Sequence, residues 1–196
     1  MRVQSIKIYK FEELSKEAQD VAIAAERSIN IEYDWYEPII EYWQEKLAEL
    51  GFEDMGVKFR LYNSQGDGAC FGGGSINNSK VLNTLLCSDP TFIRVLDLVD
   101  YFELDLHRLN SRYSHENCHR VDLIKIINRY EGISDKLITL LFQFSDAVEA
   151  LRKSLCVKIY RELSTEYDHL SSEEAIRQAL VDNELEFTAD GVRWRD

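Results

Sequence analysis

Residues 57–76 read V-K-F-R-L-Y-N-S-Q-G-D-G-A-C-F-G-G-G-S-I. Val57, Phe59 and Leu61 alternate with Lys58, Arg60 and Tyr62, the period of a half-buried strand. Ala69 to Phe71 reads as its return strand, so the segment predicts a hairpin with an elaborate turn. Five of the nine glycines fall here: Gly66, Gly68, Gly72, Gly73 and Gly74. Glycine is used where φ must be positive or another group must approach the backbone closely. With Ser64, Gln65, Asp67 and Cys70 beside them, these glycines mark a shaped polar turn and a candidate functional surface. It is not a phosphate-binding P-loop, because no Gly-Lys-Ser/Thr follows, and it lacks the G-x-G-x-x-G register of a dinucleotide fold.

Outward from this hairpin, strand and helix signals alternate. Val3 to Lys10 reads as a strand with Ile6 and Ile8 on one face. Ser15 caps a helix running to about Arg27, with a stripe of Leu14, Ala18, Val21, Ala22 and Ala25. Asp34 caps a second helix with Pro38 in its first turn and Gly51 just past its end. Tyr36, Ile39, Ile40, Trp43, Leu47 and Leu50 form its apolar stripe. Lys80 to Cys87 is a short helix, and Ser88-Asp89-Pro90 opens another whose core residues are Phe92, Ile93, Leu96, Val99 and Phe102. Leu104 and Leu106 alternate as a strand. Ser134 caps a long helical region from Asp135 to about His169, with Leu137, Leu140, Leu141, Phe144, Val148, Leu151 and Leu155 as its stripe and one break near Lys153. Ser171-x-x-Glu174 is a capping box for a last helix to about Val181. Glu186 to Trp194 reads as strand, turn at Asp190-Gly191, strand. This order predicts one α+β domain over residues 1–196, with a largely antiparallel sheet and a helix-rich C-terminal half.

A second polar cluster, Y-S-H-E-N-C-H-R, spans Tyr113 to Arg120. Read as a strand, one face carries Tyr113, His115, Asn117, His119, Val121 and Leu123, and the other carries Cys118. Two histidines and an asparagine on a face that becomes apolar fit the rim of a site. Cys70 with His115 or His119 as base and Asp67 or Asn117 as orienter has the residue types for acyl transfer. Isolated cysteines more often serve as small buried hydrophobes. A metal site from His115, Cys118 and His119 is disfavoured, since Cys118 would point away from both histidines. No metal or other cofactor is expected.

The net charge is −12, unevenly spread: −7 over residues 1–56, +1 over 57–159 and −6 over 160–196. Acidic ends repel nucleic-acid phosphates and attract basic surfaces, so direct nucleic-acid binding is disfavoured. Glu37, Glu41, Glu45 and Glu49 repeat every four residues on one helix face with Lys46 as the only base in that helix. Such repeats repel by about 0.2–0.5 kcal/mol per pair, so the face is either plain solvated surface or shaped for a basic partner. No run of about eighteen apolar residues exists, so no membrane span is expected. No apolar h-region follows Met1, and the four scattered cysteines form no C-x-x-C pair, which together predict reduced thiols in a cytoplasm.

I-Y-K-F-E-E-L-S-K-E-A near the start, D-W-Y-E, S-Q-G-D-G-A-C-F, Y-S-H-E-N and the terminal E-F-T-A-D-G together resemble a family of small proteins carried by phages, prophages and plasmids, some labelled antitoxin-like. The resemblance implies a mobile-element setting in a bacterial cytoplasm. In that setting the acidic surface reads as a partner surface, with Glu37, Glu41, Glu45, Glu49, Ser64, Gln65, Asp67, His115, Asn117 and His119 as candidate contacts. The expected function is a non-catalytic inhibitor of a bacterial defence protein or complex, of the anti-CRISPR or anti-restriction type, acting on its basic nucleic-acid-binding surface. The alternatives are an antitoxin that neutralises a toxin by direct contact, and a small hydrolase or transferase using Cys70.

Overall fold

The computed structural model describes residues 6–62, 64–109, 112–126 and 134–195. The fold is α+β, with its strands in small two-stranded antiparallel pairs and its longest helix in the C-terminal half. The chain divides into two compact units: Met1–Glu37 with Ser164–Asp196, and Pro38–Leu163.

The first unit joins the two chain ends. Strand β1 (Tyr9–Lys10) pairs antiparallel with β8 (Glu186–Phe187). The expected strand at Val3–Lys10 reduces to those two residues where it is described, and Ile6 and Ile8 are exposed rather than packed. Its positions Val3 to Ser5 lie outside the described residues. Helix α1 (Lys16–Ala25) starts where Ser15 accepts a hydrogen bond from the Ala18 N–H. It buries Ala18 and Ala22 as expected and Ile23 beside them, while Val21 and Ala25 of the expected stripe are exposed. Helix α5 (Glu173–Asp182) is capped by Ser172, one residue later than expected: Ser172 accepts the Ala175 N–H, and the Ser171 hydroxyl donates to the Tyr167 carbonyl. Phe11, Leu14, Ala18, Ala22, Ile23, Ile176, Leu180 and Phe187 form one core cluster. Beyond β8 the chain turns at Gly191 and returns as a single bridge from Arg193 to Phe187.

The second unit carries the remaining elements. Helix α2 (Glu37–Glu49) buries Trp43 and Leu47 and ends at Gly51, whose φ is +98°. Strand β2 (Phe52–Glu53) pairs with β5 (Ser75–Ile76). The hairpin read from residues 57–76 is present as β3 (Gly56–Arg60) and β4 (Gly68–Gly72), in a register that sets Lys58 opposite Cys70 and Gly56 opposite Gly72. Helix α3 (Asn78–Leu86) is capped by Asn77, and Asp89 caps the segment that follows. That segment, Pro90–Leu98, is a 3-10 helix. It buries Phe92, Val95 and Leu98, and exposes Ile93 and Leu96. The expected core assumed a 3.6-residue period; three residues per turn put every third side chain inward.

Strand β6 (Phe102–Arg108) pairs with β7 (His119–Ile126), with Arg108 opposite His119. The expected strand at Tyr113–Arg120 begins only at His119; His115 to Cys118 form a tight turn closed by the Cys118 N–H on the His115 carbonyl. Helix α4 (Asp135–Leu170) runs unbroken for 36 residues, without the expected interruption near Lys153. Its Leu141, Phe144, Val148, Leu155, Cys156, Ile159 and Leu163 are buried, with Phe144 edge-on to Phe92 and Phe102.

Candidate functional site

Two places gather the candidate residues. The first is the outer face of α2. Glu37, Glu41, Glu45 and Glu49 are all exposed. Glu49 pairs with Lys46 at 2.7 Å, and the other three make no ion pair among the described residues. Tyr42 stands half-exposed on the same helix, its ring edge-on to buried Trp43. Trp43 is anchored by its Nε1–H, which donates to the Glu162 carboxylate at 2.6 Å. The inner side of α2 is therefore held firmly while its outer side offers a row of carboxylates around one aromatic ring.

The second place is where the glycine-rich hairpin meets the 113–119 segment. A Cβ at Gly68 would come within 2.7 Å of His115 Cβ, and one at Gly72 within 2.6 Å of His119 Nε2. Only glycine allows this close approach. Gly66 likewise lies against the Tyr113 ring. The two polar clusters of the sequence thus come together in space.

Their side chains do different things. Asp67 accepts hydrogen bonds from the Tyr62 and Ser64 N–H groups at 2.7 and 3.0 Å and from the Ser64 hydroxyl at 2.8 Å. Asp67 and Ser64 therefore build the turn, as short polar side chains commonly do, and Gln65 is exposed on it. His115 stacks on Tyr113, and its Nδ1 accepts the Asn117 N–H at 3.1 Å. Asn117 donates its side-chain amide to Glu116. The triad read from Cys70, a histidine and Asp67 or Asn117 is not assembled, since Asp67 and the Asn117 side chain serve their own turns.

His119 is only 8% exposed, and its Nδ1 is buried with no hydrogen-bond partner among the described residues. Burial first, and then the charges of Arg152, Arg108, Lys58 and His107, hold its pKa below the ordinary histidine value. Cys70 is buried as well. Burial and the neighbouring Cys118 push its thiol up to about 11, against the opposing pull of Arg108, Arg152 and Lys58. At neutral pH it is a thiol and not a thiolate nucleophile. Gly56, Lys58, Cys70, Gly72, Gly73, Leu106, Arg108 and His119 line a cavity of about 260 Å³.

Beneath this region lies an ion pair that the sequence reading missed. Arg152 is fully buried on α4 and donates to both Glu149 oxygens, at 2.7 and 2.9 Å, and to the Glu116 carbonyl. Glu149 also accepts the Val121 N–H at 3.0 Å, tying α4 to β7. Burial alone would raise the Glu149 carboxyl. The hydrogen bonds from Arg152 and Val121 and the charges of Arg152 and Lys153 outweigh it and leave the pKa lowered. The signal was available, because position 152 sits four residues after Val148 and three before Leu155, squarely on the apolar stripe.

No curated protein and no solved structure matches the chain. Residues 35–173 match a family described as a domain of unknown function, DUF8835; that is well over half of the chain, and the protein belongs to this family.

Proposed function

We propose that the protein is a non-catalytic binding protein of a mobile element that inhibits a bacterial defence effector in the host cytoplasm. In this reading the glutamate face of α2 lies on a basic surface that the effector uses to hold nucleic acid. The observation that carries the reading is the exposure of Glu37, Glu41, Glu45 and Glu49 on a helix whose opposite side is anchored by Trp43 and Leu47. Tyr42 gives that face an aromatic contact of the kind that concentrates binding energy at interfaces. Complementary charge speeds capture and selects basic partners. The high pKa of the Cys70 thiol weighs against the hydrolase alternative.

The test is phage plating on cells that carry a restriction or CRISPR system and express either the parent protein or a Glu37→Lys, Glu41→Lys, Glu45→Lys, Glu49→Lys variant. The parent protein should restore plating and the variant should not, with the helical circular-dichroism signal unchanged. Equal restoration by both would remove the acidic face from the mechanism. Rescue of growth from a co-expressed toxin, with plating unchanged, would make the protein an antitoxin.

A further inference from the structure

The cavity between the two hairpins is lined by basic side chains, although the chain as a whole carries a net charge of −12. Residues directly opposite in an antiparallel ladder share one face, and so do alternate residues along a strand. In β3/β4 the register therefore sets Gly56, Lys58, Cys70 and Gly72 on a common face. In β6/β7 it does the same for Leu106, Arg108 and His119. Those seven residues, with Gly73, are the cavity wall. Each hairpin contributes one cation, and His119 comes from β7 beside Arg108.

The glycines leave the room. Gly72 lets the His119 ring lie directly on the β4 backbone, and a Cβ at Gly73 would meet nothing within 4 Å. His119 is more than nine-tenths buried, and its Nδ1 has no hydrogen-bond partner among the described residues, an uncommon state for a buried polar atom. The cations acting on His119 are Lys58 on β3, Arg108 on β6 and Arg152 on α4, the last already paired with Glu149. Cys70 lines the site as a thiol. The volume is slightly below that of pockets for drug-sized ligands, roughly 300–1,000 Å³, so the occupant is small.

We propose that this cavity binds a small phosphate-bearing ligand, with Lys58, Arg108 and His119 as the groups that recognise the dianion. Two cations and an imidazole around glycine backbone suit a doubly charged tetrahedral group better than a single carboxylate. The ligand is free phosphate or a nucleoside monophosphate held by its phosphate.

The experiment titrates isotopically labelled protein with inorganic phosphate, adenosine monophosphate, adenosine and acetate at constant ionic strength near neutral pH, followed by NMR. Saturable shifts at Cys70, Gly72, Gly73 and His119 with phosphate or the monophosphate, and none with adenosine or acetate, are expected. Tighter binding of the monophosphate identifies a nucleotide source, and equal binding identifies free phosphate. The bound dianion should also raise the pKa of the His119 imidazole, which the ring ¹⁵N shifts read directly. Lys58 is exposed, so Lys58→Met keeps the fold; it should weaken binding about tenfold or more, whereas Lys80→Met, which removes a cation paired with Glu53, should not. Non-saturating shifts, equal response to acetate, or unchanged affinity in Lys58→Met would overturn the proposal.

Discussion

Arg152 is the residue on which the 115–118 turn, β7 and α4 converge. Its guanidinium has no exposure and is satisfied by Glu149 and the Glu116 carbonyl. Removing one member of a buried pair leaves the other uncompensated, which costs about 3–5 kcal/mol. Arg152→Met should therefore lower unfolding stability at pH 7 by about that much, measured by urea titration. Arg152→Met with Glu149→Gln should lose clearly less than the sum of the two single changes. The pH dependence separates this from lost packing. The folded-state pKa of Glu149 lies below its ordinary 4.5, so its contribution is complete above that value and disappears as pH falls through the folded pKa. The gap between parent and Arg152→Met should shrink over that acid range, because protonated Glu149 no longer requires the cation. A gap that stays constant with pH would assign the loss to volume alone. At this scale His119 and Cys70 were legible as polar residues in unusual company, and Arg152 was legible as a charge on an apolar stripe. Lys58 and Arg108 were not, because a strand pattern gives the face of a cation but not the hairpin that will stand opposite it.

At the scale of elements, local chemistry was read well where a cap or a glycine fixes the backbone. Ser15, Gly51, Asp89 and the β3–β4 hairpin stand where their residues predict. Periodicity failed where the helix type changed. Pro90–Leu98 is apolar on so many sides that both a 3.6- and a 3.0-residue period fit its sequence, and packing on Phe144 decides between them. The two periods make opposite statements about neighbouring residues. Leu98 is 3% exposed and Ile93 is 56% exposed. Leu98→Ala should destabilise by about 2–5 kcal/mol, as a buried leucine truncation does. Ile93→Ala should stay within about 0.5 kcal/mol, as exposed changes usually do. The reverse ranking would restore the α-helical reading. The strand expected at Tyr113–Arg120 failed for a related reason. Alternation can be traced through any polar run, and here the chain instead turns at His115–Cys118, with Gly68 leaving room for His115 beside it.

For the molecule as a whole, the least legible feature was which distant segments pair. Glu186–Phe187 reads locally as half of a terminal hairpin, yet its main partner is Tyr9–Lys10 at the other end of the chain. No local signal encodes such a contact, since loop-closure entropy grows only slowly with length and the reward is a shared core. That core is small and concentrated. Phe11 meets Phe187 edge to face with ring centroids 6.1 Å apart, and Leu14, Ala18, Ala22, Ile23, Ile176 and Leu180 complete it. Phe187 is fully buried, so Phe187→Ala should cost about 3–5 kcal/mol in the unit built from the chain ends. Hydrogen exchange gives the test its location. The amides of α1 and α5, which share this core, should lose protection together, because neither helix is long enough to persist without tertiary packing. Loss confined to β8, with α1 still protected, would mean that α1 draws its stability from elsewhere and that the two chain ends do not form one cooperative core.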